Sequence, residues 1–76
     1  MNGYKIQPSF SFNERCYCEI WTGACVPCTI EGIRVTLYPG VPKVYLYDIK
    51  VSNDANVEAG SLLYNIEENN LKKWEI

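Results

Sequence analysis

Apolar and polar positions alternate along much of this chain. In residues 32–38, Ile33, Val35 and Leu37 alternate with Arg34, Thr36 and Tyr38, the period of a strand with one buried face. Residues 43–52 make a longer candidate whose apolar parity slips between Leu46 and Ile49, with Asp48 at the slip; a β-bulge there would restore the facing. Turn-forming residues punctuate the chain at Pro8, Gly23, Gly32, Pro39-Gly40, Pro42, Asn53-Asp54, Gly60 and Asn69-Asn70. Between them the pattern predicts strands at 5–12, made an edge by Pro8, at 15–21, and at 62–67, with Leu62, Tyr64 and Ile66 on one face. A last strand, 71–76, follows through an Asn69-Asn70 hairpin turn. No window supports a long helix. The expected fold is one all-β domain over residues 1–76, a small barrel or sandwich of about six short strands with a cysteine-rich hairpin.

A chain of 76 residues hides only about 60% of the surface its unfolded form exposes, so a crosslink, metal or partner is expected to add stability. Four cysteines are the evident source: Cys16-Tyr17-Cys18, then Cys25-Val26-Pro27-Cys28. A Cys-x-x-Cys turn set opposite a second thiol pair by a turn at Thr22-Gly23 would make a four-sulfur zinc site from Cys16, Cys18, Cys25 and Cys28. Two other readings stay open: a cross-strand disulfide between Cys18 and Cys28, and reduced thiols buried as small hydrophobes.

The chain has no histidine, which removes every mechanism that needs an imidazole base or a mixed Cys/His metal site. The residues show no catalytic constellation, and the expectation is a protein that is not an enzyme. The stretch Trp21-Thr22-Gly23-Ala24-Cys25-Val26-Pro27-Cys28 looks like the thioredoxin motif, and Gly40-Val41-Pro42 looks like that family's cis-proline segment. The interval from Cys28 to Pro42 is too short for the helix and strand that should intervene. A small thiol-redox protein using Cys25 and Cys28 is therefore an alternative and not the main reading.

Seven basic and nine acidic residues give a net charge of -2 with no run longer than two, so nucleic acid is not the expected partner. The N-terminal text has neither a basic region nor an apolar core of signal-peptide type, and no apolar stretch approaches membrane-spanning length. A cytoplasmic, reducing location is expected for a chain of this kind.

From Tyr45 onward the sequence resembles a biotinyl/lipoyl carrier domain, a barrel-sandwich hybrid. Asn53-Asp54-Ala55-Asn56-Val57-Glu58-Ala59-Gly60 occupies that family's turn, and Leu62, Leu63 and Ile66-Glu67 its following strand. The resemblance implies that Val57 plugs a barrel end and that Gly60 supplies a positive φ before the strand. It also places the modified-lysine tip at Asn69-Asn70, where there is no lysine; Lys72 and Lys73 come later. The resemblance thus implies the shape without the swinging arm, and a carrier-like role is a second alternative.

Six tyrosines, two tryptophans and two phenylalanines are more than a small core holds. Tyr45 and Tyr47 share one face of their strand and Val44 and Leu46 the other, so one pair lines the core and the other is free to form a contact patch. Tyr45 and Tyr47 are the candidates for that interaction surface. The function expected is a small structural or interaction module, such as an accessory protein of a bacterium or phage, that binds a protein partner or a second copy of itself, because an exposed edge strand needs covering.

Overall fold

The computed structural model describes residues 8–41 and 43–74. Its five strands are β1 (Arg15–Glu19), β2 (Cys25–Thr36), β3 (Val44–Val51), β4 (Leu62–Glu67) and β5 (Leu71–Lys73), with a short 3-10 helix at Glu68–Asn70. They form one antiparallel sheet in the order β4-β3-β2-β1-β5. The fold is mostly β, as the alternation predicts, but it is neither a barrel nor a sandwich.

A three-residue loop, Trp21-Thr22-Gly23, joins β1 to β2. The Ile20 N–H donates to the Ala24 carbonyl at 2.9 Å and the Gly23 N–H to the Ile20 carbonyl at 2.8 Å. Gly23 takes φ +88°, a conformation that a side chain would strain. The loop fixes the ladder, setting Cys16 opposite Cys28, Tyr17 opposite Pro27 and Cys18 opposite Val26.

The Cys-x-x-Cys stretch is not a turn. It opens β2, which runs on through the expected third strand to Thr36. Val26, Thr29, Ile30, Ile33 and Val35 favour the extended backbone, and Pro27 sits where its missing N–H costs no ladder bond. The Ile30 N–H donates to the Glu14 carbonyl, so the even-numbered residues of β2 up to Ile30 direct their backbone groups toward β1. Pro27 faces the other side, where its carbonyl accepts from the Ser52 N–H at 2.9 Å and the β2/β3 ladder has already ended at Cys28 and Val51.

Strand β3 keeps its alternation throughout, with Tyr45, Tyr47, Ile49 and Val51 buried. Counting the tyrosines as core removes the expected slip. The irregularities lie in the neighbours instead. From Ile30 to Gly32, β2 advances two residues while β3 advances one, which leaves Glu31 extra. Between Ile66 and Leu63, β4 spends three residues against two of β3, and Asn65 there has φ +59°. This bulge corrects the expected facing of β4. Leu63 and Ile66 pack on the core, while Leu62 and Tyr64 are exposed.

The expected hairpin at Asn69-Asn70 is also corrected. Those residues belong to the 3-10 helix, and β5 pairs with β1, at the opposite edge from β4. Three residues of 3-10 helix rise only about 6 Å, so the sheet must curl until its two edges approach. Among the described residues no ladder joins β4 to β5, and the curled sheet stays open.

Of the expected first strand, residues 5–7 lie outside the described residues, as do Pro42 and the last two residues of the expected sixth strand. Residues 8–12 form bends and turns. They close the core: Phe10 packs edge-on against Tyr47 with ring centroids 5.6 Å apart. The Tyr47 hydroxyl donates to Glu68 Oε2 at 2.5 Å, and the same oxygen accepts from the Ser9 N–H at 3.0 Å. Lys73 Nζ lies 4.3 Å from the Phe10 ring centroid, donates to the Ser9 carbonyl at 2.6 Å and pairs with Glu14 Oε2 at 3.0 Å.

Candidate functional site

The β1/β2 ladder decides where the cysteines go. Cys16 and Cys18 are two residues apart in β1 and face the same way. Cys28 projects to that same inner side from β2, and all three are fully buried. Cys25, an odd number of residues from Cys28 in the same extended strand, points to the other face and is exposed. The four sulfurs expected to surround one zinc ion are therefore divided between two faces. Among the described residues no group of three or more Cys, Asp or Glu side chains is arranged to hold a metal. The same extended backbone separates Cys25 from Cys28, so the thioredoxin-like pair is not brought together either.

What the ladder does bring together is Cys16 and Cys28. Directly opposite one another, their Sγ atoms are 3.4 Å apart, and the Cys28 thiol lies 3.5 Å from the Cys16 carbonyl. The hydrogen bond to Cys16, followed by burial, pushes the Cys28 pKa up. Burial, reinforced by the nearby Cys16, pushes the Cys18 thiol up to about 11. The Cys18 thiol points at the Glu19 carbonyl, 3.6 Å away.

The second feature is the seam where the curled sheet fails to close. A cavity of about 410 Å³ opens there, lined from β1 and its loop by Cys18, Ile20 and Trp21, and from β4 by Leu63, Tyr64 and Ile66. The ladders show which backbone groups face it. The Ile20 N–H is used toward β2, so the alternate residue Glu19 directs its N–H and C=O the other way, toward Asn70, where they close the Cys18–Leu71 pair that ends the β1/β5 ladder. On β4, the Ser61 carbonyl accepts from the Val51 N–H and Leu63 lies opposite Ile49. By the same alternation the backbone groups of Leu62 and Tyr64 point away from β3. The β4 edge thus presents amide groups to the slot, whose rim carries Trp21, 83% exposed, and Tyr64, 58% exposed.

Tyr45 and Tyr47, the expected contact patch, are 8% and 0% exposed and belong to the core. Exposed aromatic area appears elsewhere, at Trp21, Tyr38 and Tyr64. On the outer side of β1, Trp74 stacks on Tyr17 at 4.8 Å and 9°, and Arg15 covers the same indole at 4.2 Å, so these rings serve one another. In the carrier-like stretch, Gly60 does take a positive φ, +78°, whereas Val57 is exposed and plugs nothing. Lys72 is exposed in β5, opposite Tyr17. Trp21 and Tyr64 lie far apart in sequence, and no local pattern could have joined them; only the β5-to-β1 crossover does.

Compared with family models, curated proteins and solved structures, the chain matches none. Among the described residues no helix is long and apolar enough to cross a membrane.

Proposed function

We propose that this protein is a non-enzymatic interaction module that takes up an extended peptide segment of a protein partner between β1 and β4. The observation that carries this reading is the seam itself: backbone groups of Leu62 and Tyr64 on the β4 edge face an apolar slot, walled on the other side by Ile20 and Trp21, that no strand fills among the described residues. An added strand would satisfy those amide groups in the manner of β-augmentation, and its alternate side chains would meet Trp21 and Tyr64. Self-association through the same edge is the variant of this reading in which the partner is a second copy.

The test is a selection of binding peptides from a random library on the immobilised full chain. Selected peptides are expected to bind one to one and to lose about tenfold or more in affinity on Trp21→Ala. Methylating their backbone nitrogens one at a time should weaken binding at every second position only, because a strand shows alternate amides to each neighbour. Peptides that tolerate every methylation, or whose amide chemical-shift footprint avoids residues 19–21 and 62–66, would sink the proposal. Sedimentation of the free protein separates the self-association variant.

A further inference from the structure

We propose that Cys16 and Cys28 form a disulfide that staples β1 to β2 when the chain folds in the presence of a small disulfide oxidant. The inference does not rest on the seam. It rests on the ladder and on the sulfurs. The two residues are twelve apart in sequence and directly opposite in register. The alternation of backbone hydrogen bonds makes them a hydrogen-bonded pair, for which the Cα separation is about 5.5 Å, within the range that a disulfide spans. Their sulfurs are already 3.4 Å apart, so bonding requires an approach of only about 1.4 Å. No other pairing of the four cysteines is so placed: Cys18 faces Val26, and Cys25 lies on the opposite face of β2. This reassigns the disulfide that the sequence alone put between Cys18 and Cys28.

The chemistry balances with glutathione disulfide as oxidant. One protein thiolate attacks the oxidant's S–S bond, forms a mixed disulfide and releases one glutathione. The second protein thiolate then attacks the protein sulfur of that mixed disulfide and releases the other. Two S–H bonds are lost and one S–S bond is made, and the two electrons and two protons leave with two molecules of reduced glutathione. Because both sulfurs are sealed in the core, exchange takes place on the folding chain, before the curled sheet closes over them.

The experiment is to refold the reduced, unfolded full chain in a glutathione redox buffer, quench with acid, alkylate the remaining thiols and measure the mass. The expected product has lost about 2 Da and carries two alkyl groups. Cleavage after glutamate then separates Cys16 and Cys18, between Glu14 and Glu19, from Cys25 and Cys28, between Glu19 and Glu31. Fragmentation of the linked pair should give Cys16 joined to Cys28, with Cys18 and Cys25 alkylated. The linked form is expected to melt about 10 °C or more above the reduced form, the size a short closed loop gives in so small a domain. Four alkylated cysteines, a bond to Cys18 or Cys25, or a link that leaves the melting temperature unchanged would each overturn the proposal.

Discussion

The backbone N–H of Asn65 donates to Asp48 Oδ1 across 3.2 Å. Asn65 sits in the β4 bulge, and Asp48 lies opposite Gly32, the residue that follows the extra Glu31 of β2. One carboxylate therefore holds both places where the ladders of β3 lose register. Gly32 leaves the room: a Cβ there would come within 3.2 Å of Asp48 Oδ2. Arg34 completes the arrangement through Nη2 at 2.6 Å from Oδ2.

From this arrangement, Asp48→Ala is expected to lower stability by about 1–2 kcal/mol, because it removes both the hydrogen bond to the bulge amide, worth about 0.5–1.5 kcal/mol, and the ion pair with Arg34. Asp48→Asn keeps an oxygen for Asn65 and removes only the ion pair. The Arg34 side chain of that pair is half exposed, so the loss should be about 0–1 kcal/mol. Urea unfolding of the two variants checks the order. Equal losses would mean that the ion pair, and not the bulge contact, matters.

Phe10 and Phe12 give a sharper contrast. Phe10 is 5% exposed and Phe12 is 64% exposed, so Phe10→Ala should cost about 3–5 kcal/mol and Phe12→Ala less than about 0.5 kcal/mol. Phe10→Ala should also release the clasp that Lys73 makes with Ser9 and Glu14, speeding amide exchange in residues 9–14 before the strands open. The clasp is weakened by acid as well. The backbone N–H of Ser11 and the ammonium of Lys73 hold the Glu14 carboxyl below its usual value of 4.5. Its contribution is complete above that pH and is lost as pH falls further.

Thiol reactivity reports the facing of β1 and β2 directly. In the native, reduced protein one thiol, Cys25, should react quickly with a small disulfide reagent, and Cys16, Cys18 and Cys28 only after denaturant is added. Two or more fast thiols would contradict the inward facing of these side chains.

These contrasts mark how much of the molecule its residues foretell. Leu62–Glu67 was legible to the residue because turn-formers bracket an apolar run, and β3 was legible in position though not in facing, since its tyrosines look amphipathic until packing buries them. Phe10 and Phe12 have the spacing of one strand face, yet a turn puts them in different surroundings. The Cys-x-x-Cys text suggests a knuckle because that spacing so often ligates metal. The β-branched residues after it, and a proline whose nitrogen faces no partner, carry the strand straight through. Once 25–30 is a strand, the three-residue loop centred on Thr22 dictates that Cys16 meets Cys28. The seam had no local signal, because it arises only when β5 crosses to β1.

The Cys18 and Cys28 thiols and the Tyr47 hydroxyl together make the fold sensitive to alkali. The Cys18 thiol is raised from its ordinary value of 9 to about 11, by burial first and by neighbouring Cys16 next. The Tyr47 hydroxyl is raised above its ordinary 10 by burial and by its hydrogen bond to Glu68. A group whose pKa is higher in the folded chain holds its proton more tightly there. Its contribution is therefore intact below the unfolded pKa and falls away as pH climbs toward the folded one. Stability should accordingly begin to decline near pH 9, as Cys18 and Cys28 ionise in the unfolded chain and hold their protons in the folded one, and decline more steeply above 10 as Tyr47 joins. The check is urea unfolding at pH 7, 9 and 11 with the thiols kept reduced, for the natural chain, Cys18→Ala and Tyr47→Phe. Tyr47→Phe should lose about 1–2 kcal/mol at pH 7, the size of one hydrogen bond to a charged acceptor, yet show a shallower fall above pH 10. Cys18→Ala should fall less than the natural chain between pH 9 and 11, with Cys28 still contributing. Parallel declines in all three would mean that neither proton is held by the fold.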